Sequence, residues 1–210
     1  MKLTTIVCGP LSVNTYIFAN DDGHCFVVDP ADATPVLSKL EADSLTCDGI
    51  LITHGHFDHI GGLAQVQEAT GAPVYVHPLD AVALSDDAKN LGRFMGFSVL
   101  PSTPDQLVTD GQILTIAGYA IEVLHTPGHS PGGVCYYVAA EQLLFCGDTV
   151  FDGSYGRTDF PDGDGATLYR SITRRIFTLP VETALYPGHG PKTDVARESR
   201  ENPILYGGIL

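Results

Sequence analysis

The chain has 210 residues, 44% hydrophobic and 17% charged, which is enough to bury a core and excludes disorder as the default state. Its formal net charge of -14, from 25 acidic against 11 Lys and Arg residues, excludes non-specific nucleic-acid binding and disfavours an anionic membrane surface. Five widely spaced cysteines form neither a disulfide framework nor a CxxC zinc pattern, so reduced thiols and a cytoplasmic location are expected.

The N-terminal stretch MKLTTIVCGPLSVNTYIF is interrupted by Gly9, Pro10, Ser12 and Asn14, so no signal peptide is expected. No run of about 20 apolar residues could span a bilayer. Apolar or alternating segments predict strands at 2–8, 13–19, 25–29, 49–53, 73–77, 113–116, 119–125, 133–139, 142–147 and 183–187. Helical patterns fall at 33–43, 62–70, 79–90 and 166–178, with a short C-terminal helix at 193–200. In the fourth of these, Leu168, Ile172 and Ile176 share a face. Residues 91–111 are the least regular and read as a boundary or a cover over a site. With no Ser/Gly-rich linker, residues 1–210 are expected to form one domain.

Metal-type residues recur at strand ends. GILIT leads into His54-Gly-His56-Phe-Asp58-His59, and AIEVLHT into Pro127-Gly128-His129. QLLFC leads into Gly147-Asp148-Thr149, and TALY into Pro187-Gly188-His189. A strand fixes the direction of exit, and glycine lets the backbone turn sharply and approach an ion. One HxH pair is a weak signal; four strand ends together are a strong one. A catalytic zinc takes three protein ligands and a water. His54, His56, Asp58, His59, His129, Asp148 and His189 are too many for one ion and suit two ions sharing a carboxylate. No cysteine lies inside these motifs, which sets them apart from a closed structural zinc site.

HxHxDH at 54–59, TPGH at 126–129, GDT at 147–149 and PGH at 187–189 resemble the metallo-β-lactamase superfamily, in its order and over nearly the whole chain. The resemblance implies an α+β fold, an αββα sandwich of two mixed β-sheets flanked by helices. It implies that His54, His56 and His129 hold one metal, Asp58, His59 and His189 a second, and that Asp148 bridges them. Asp29 looks like the superfamily's aspartate that orients a ligand imidazole. Two divalent ions are expected, zinc first, with iron or manganese compatible with the same donors.

Within the superfamily, GDTVFDGSYGRTDFPDGD resembles glyoxalase II-like hydrolases and, equally, persulfide dioxygenases. The ending YPGHGPKTDVARESRENP looks like the short, single-domain glyoxalase II-like type. Pro191 stands where the long enzymes tend to carry a tyrosine, and their C-terminal helical glutathione-binding region is not expected here. Arg157 falls where the long enzymes place a substrate-binding lysine, so it is expected to bind a substrate anion or to pair with Asp159. The implied activity is hydrolysis of S-lactoylglutathione or a related hydroxyacyl thioester by hydroxide generated at the metals, with Asp58 and Asp148 as catalytic residues. The main alternative is a persulfide dioxygenase with one iron at His54, His129 and Asp148. A lactonase or β-lactamase, a nuclease and a non-catalytic metal-binding regulator rank lower. The expected partner is a small thioester, glutathione-derived or similar, with no nucleic acid or membrane, on a monomer or small homo-oligomer. His125 is expected to be a strand or supporting residue, His77 structural, His24 an exposed turn residue, Tyr16 a packed strand tyrosine, and Arg174-Arg175 a solvated helix face.

Overall fold

The computed structural model describes residues 2–207. The chain opens with an antiparallel meander of β1 (Lys2–Cys8), β2 (Val13–Ala19) and β3 (His24–Val28). Helix α1 (Ala33–Ala42), β4 (Thr46–Leu51), helix α2 (Leu63–Thr70) and β5 (Val74–Val76) follow. A single helical turn α3 (Gly92–Met95) and the short β6 (Gln106–Leu107) complete the first half. The first sheet has the order β1-β2-β3-β4-β5-β6, with β3 to β6 parallel.

The second half contains β7 (Ile113–Ile116), β8 (Tyr119–His125), β9 (Val134–Val138) and β10 (Leu143–Gly147). A small hairpin of β11 (Val150–Phe151) and β12 (Ser154–Tyr155) precedes helix α4 (Gly165–Ser171), then come β13 (Ala184–Pro187), β14 (Thr193–Asp194) and helix α5 (Val195–Glu201). The second sheet runs β14-β13-β10-β9-β8-β7, with β13 parallel to β10 and the other pairs antiparallel.

Period-two alternation sorts the side chains into layers. On β3, Phe26 and Val28 join Phe18, Tyr136 and Phe145 between the sheets, while Cys25 and Val27 pack with Val36 and Leu40 of α1. On β10, Phe145 faces the other sheet, and Leu144 and Cys146 meet Leu168, Ile172 and Ile176. The αββα sandwich of two mixed sheets is therefore present. Aspartates cap the helices: Asp32, Asp164 and Asp194 accept from the backbone N–H of Thr34, Thr167 and Arg197.

Three predicted elements differ. The helix predicted over 79–90 is only a 3-10 turn at Ala81–Leu84, because Asp86 and Asn90 divert the backbone and Leu91 adopts a left-handed φ of 68°. The helix predicted over 166–178 widens into a π-turn at Ile172–Ile176, closed by Phe177 N–H donating to Ile172 O. The irregular 91–111 segment supplies β6, which extends the first sheet beyond β5. Among the described residues no helix is long and apolar enough to cross a membrane.

Strand direction positions the site. β3 and β4 run parallel; β8 and β10 flank the antiparallel β9, and β13 is parallel to β10, so five strands end at one edge. Irregular chain beyond the carboxyl ends of such strands is where ligands bind. Phe145 anchors the core beneath that edge, fully buried against the rings of Tyr16, Phe18, Phe26 and Tyr186 at 5.2–6.1 Å. Truncating it as Phe145→Ala is expected to destabilise the fold by about 3–5 kcal/mol, read as a lower urea midpoint; a loss below about 1 kcal/mol contradicts this packing.

Candidate metal centre

The loops after β4, β8, β10 and β13 bring all seven sequence-predicted ligands into one cluster. Donor atoms of His54, His56 and His129 lie within 4.8 Å of one another, as do those of Asp58, His59 and His189. Asp148 stands between the groups. Its Oδ2 is 3.6 Å from His129 Nε2 and 3.5 Å from His189 Nε2, and its Oδ1 is 3.3 Å from His59 Nε2. Asp58 Oδ2 lies 3.4 Å from His189 Nε2. Gly188 permits this approach, since a Cβ there would collide with Asp148 Oδ1 and the His59 ring. Gly147, at φ 46°, is equally constrained by the Thr53 side chain.

Hydrogen bonds on the outer side of the rings set where the lone pairs point. Thr53 Oγ1 donates its one proton to Asp29 Oδ2 at 2.6 Å, so it accepts from His54 Nδ1 at 3.1 Å. His59 Nδ1 donates to Asp29 Oδ2 at 2.8 Å, and His129 Nδ1 donates to the Arg157 carbonyl at 2.8 Å. Each of these imidazoles thus presents Nε2 to the cluster interior. Nε2 of His54, His59 and His129, together with Asp148 Oδ1, is buried with no hydrogen-bond partner. Four buried polar atoms without a hydrogen-bond partner in one cluster are costly in a protein interior, and a cation satisfies them. The residues fit divalent metal ions.

The two groups differ in charge. Burial and the surrounding imidazoles push His54 well below its ordinary value, and burial with His129 pushes His56 down to about 3, so both are neutral at pH 7. Burial also opposes protonation of His59 and His189, but Asp148, Asp58 and Asp29 outweigh it at His59, and Asp58 and Asp148 do so at His189. Both end above the ordinary histidine value. Burial would raise Asp58 and Asp148, yet the charge on His59 overcomes it and holds both carboxyls below the usual range.

The remaining expectations resolve as follows. Asp29, at φ 48°, holds His59 and also accepts from Thr53 N–H at 2.8 Å. Arg157 lines the cavity, but its Nε and Nη2 both donate to Asp159 at 2.7 Å and its guanidinium lies 4.3 Å over Phe160. Tyr16 is a packed strand tyrosine whose hydroxyl donates to the Pro187 carbonyl at 2.6 Å, steadying the His189 loop. His125 and His77 stack at 4.1 Å, and His125 Nε2 bonds the Pro131 carbonyl. His24 is exposed and meets Asp48 at 2.9 Å. Arg175 departs from the solvated face predicted for Arg174-Arg175: its two terminal nitrogens grip Asp110 at 2.7 and 2.9 Å.

Two supporting residues carry no sequence motif. Asn14 donates from Nδ2 to the Pro187 and Gly190 carbonyls, clamping the His189 loop to β2. Asp80, nearly fully buried, accepts from Gly55 N–H (2.9 Å), Ser130 Oγ (2.7 Å) and Gly132 N–H (2.6 Å). One carboxylate therefore sets the His54–His59 loop against the His129 loop. Only its position after β5 hinted at this.

A cavity of about 320 Å³ opens onto the cluster, walled by Leu11, Phe57, Leu91, Met95, Phe151 and Phe160 besides the polar residues above. Residues 8–189 match the metallo-beta-lactamase superfamily over most of the chain. The chain belongs to this superfamily. Among metallo-β-lactamase superfamily relatives, the probable metallo-hydrolase YqgX of Bacillus subtilis is 40% identical over 100% of both chains. Hydroxyacylglutathione hydrolase GloC of Haemophilus influenzae is 30% identical over 98% of each. Among solved structures, the BLEG-1 B3 metallo-beta-lactamase superposes with a TM-score of 0.93 at 40% identity, over 97% of this chain and 99% of that one. TTHA1623 in a di-iron-bound form gives 0.86 at 39%, covering 95% and 98%. ETHE1 from Myxococcus xanthus gives 0.80 at 29%, covering 97% and 84%. Metallo-β-lactamase superfamily membership and the His/Asp cluster together point to a metal-dependent enzyme that uses divalent ions.

Asp80→Asn removes the charge that joins the two ligand loops, and metal affinity is expected to fall about 10–100-fold with the fold retained, as read by competition with a chromophoric chelator. Unchanged affinity would show that the two loops hold their register without it. Imidazole ligands bind metal only when neutral, so loading must displace protons held above the ordinary value on His59 and His189. Affinity is therefore expected to rise from about pH 6 to 8, with proton release at neutral pH seen calorimetrically in buffers of different ionisation enthalpy. A flat profile without proton release contradicts the charge assignment.

Proposed function

We propose that this chain is a dinuclear metal-dependent thioester hydrolase of the glyoxalase II type, acting on S-lactoylglutathione or a related hydroxyacyl thioester. The observation that carries this reading is the completeness of the second group: Asp58, His59 and His189 converge opposite His54, His56 and His129, with Asp148 between them. A one-iron dioxygenase centre at His54, His129 and Asp148 would leave Asp58 and His189 without a use. The likeness to a hydroxyacylglutathione hydrolase over 98% of each chain supports the same substrate class. Zinc is the first choice of ion, with iron and manganese compatible with the nitrogen and oxygen donors.

His54, His56 and His129 would hold one ion, Asp58, His59 and His189 the other, and Asp148 both. Bound there, divalent ions supply Lewis acidity, lowering the pKa of water to roughly 7 in known zinc sites and polarising a carbonyl. The chain's own groups determine the rest. Asp29, Thr53 and the Arg157 carbonyl lock the imidazole orientations. Asp58, held below the usual carboxylate range, stays ionised and is a weak base; it orients water at Oδ2 rather than storing a proton. The water oxygen bonds to the acyl carbon, the C–S bond breaks, and carboxylate, thiol and one proton leave. A thiolate with an intrinsic pKa of about 8.5 departs without a general acid. Apolar walls at Leu11, Leu91, Met95 and Phe151 shield the reacting carbonyl from bulk water.

Steady-state turnover of S-lactoylglutathione, with metals quantified alongside, is expected to show hydrolysis at about two ions per chain. Asp148→Asn is expected to lower kcat at least about 100-fold and to reduce the metal content. Rapid oxygen uptake on glutathione persulfide with one iron and no thioester cleavage overturns the reading in favour of a dioxygenase.

A further inference from the structure

A second cavity, of about 230 Å³, adjoins the first. The two share His56, Leu91, His129 and Phe160, so they meet at the metal cluster. Beyond that junction the second is walled by the loop after β5 and carries Lys89 and Asp162 on its rim. A thioester has two halves on either side of its carbonyl, and a two-armed cavity gives each half a place. The first arm is largely apolar. The second has a cation at its mouth.

Among the described residues, Arg157 and Lys89 are the cations on these walls. Arg157 is already neutralised by its two-point grip on Asp159. Lys89 is not: its Nζ lies 4.0 Å from Asp162 Oδ2, beyond hydrogen-bond range, with both side chains more than half exposed. Such a pair contributes little and is readily exchanged. Outside the metal cluster, Asp80, Asp162 and the Arg157 partner Asp159 add negative charge, on a chain whose net charge is -14. An anionic substrate approaching this field needs a local, uncommitted cation.

The backbone at Lys89 is held in register with the metal loop. Lys89 N–H donates to Asp86 O at 2.8 Å, and the neighbouring Asn90, fully buried, ties Ala83 O with its amide. Asn90 O in turn accepts from Phe57 N–H at 2.8 Å, inside the 54–59 motif. Leu91 follows in a left-handed conformation with its side chain at the junction of both arms. Backbone strain of this kind, held by its surroundings, is a feature of ligand sites. The ammonium is thus a point charge on a flexible stem with a fixed root.

We propose that Lys89 is the anion-binding residue of the thiol-side arm, receiving a carboxylate or phosphate carried by the thiol half of the substrate while Asp162 is released. The assignment rests on the thioester reading for its kinetic consequence, but not for its binding test. S-hexylglutathione is a thioether that cannot be hydrolysed, and it carries its anions as carboxylates; coenzyme A carries them as phosphates. Calorimetric titration of the metal-loaded protein is expected to show that Lys89→Ala weakens one of the two by about tenfold, the scale of one charge-assisted contact. The ligand that loses affinity identifies the source of the anion. Lys89→Arg should restore binding and Asp162→Asn should tighten it.

In kinetics, Lys89→Ala is expected to raise KM for the matching lactoyl thioester about tenfold, with kcat changed far less. Preference over the uncharged lactoyl thioester of N-acetylcysteamine should fall by the same factor. Failure of the wild type to bind either anionic probe, or wild-type affinity for both in Lys89→Ala, overturns the assignment. An equal loss on the uncharged thioester also overturns it, because the effect would then not be one of charge. If no thioester is cleaved but Lys89→Ala still weakens a probe, the hydrolase reading fails and the anion subsite stands.

Discussion

The structure turns on the packing of unsatisfied imidazole nitrogens around one buried carboxylate. Asp148 lies 3.3–3.6 Å from Nε2 of His59, His129 and His189, and Nε2 of His54, His59 and His129 has no hydrogen-bond partner. Buried polar atoms left in this condition oppose folding unless a cation completes them. The other features of the site keep these atoms in place. Gly147 and Gly188 clear the steric path, Asp29 and the Arg157 carbonyl fix ring orientation, and Asn14 and Tyr16 pin the His189 loop to the opposite sheet.

The cluster is electrostatically lopsided. His54 and His56 are held neutral by burial and by one another, whereas His59 and His189 gain protons from the carboxylates they face. The metal-free chain therefore offers one group with lone pairs ready and another stabilised by internal ion pairing. That asymmetry follows from carboxylate placement, since Asp29, Asp58 and Asp148 all contact His59. Strand ends carry the cluster residues, and Lys89 and Arg157 sit farther out on loops at the cavity walls.

Much of this was legible in the sequence. Strands of four residues or more showed their apolar patterns, and the motifs at 54–59, 129, 148 and 189 named the seven cluster residues because metal chemistry restricts residue types at close spacing. Short elements were not legible. β6, β11, β12 and β14 are two residues each, too short for any period to register, and they exist because a neighbouring strand offers backbone groups to pair with. The 79–90 stretch had helical periodicity, but the side chains of Asp86 and Asn90 bond locally to the backbone and end the helix after one 3-10 turn.

Strand alternation and donor-residue spacing marked the buried faces and the seven cluster residues, and the resemblance of the motifs to the superfamily implied the αββα architecture, because alternation encodes which face is buried and donor chemistry is a property of the side chain itself. Which carboxylate does what was decided only by tertiary structure. Asp80 is one more residue of the predicted 79–90 helix until Gly55, Ser130 and Gly132 converge on it from two other segments. Arg157 is left between a substrate anion and Asp159 until Asp159 occupies its fork, and Lys89 is one residue of a predicted helix until the second cavity forms beside the cluster. Long-range partners set the energy of a charge, and a linear sequence does not record which partners folding will bring together.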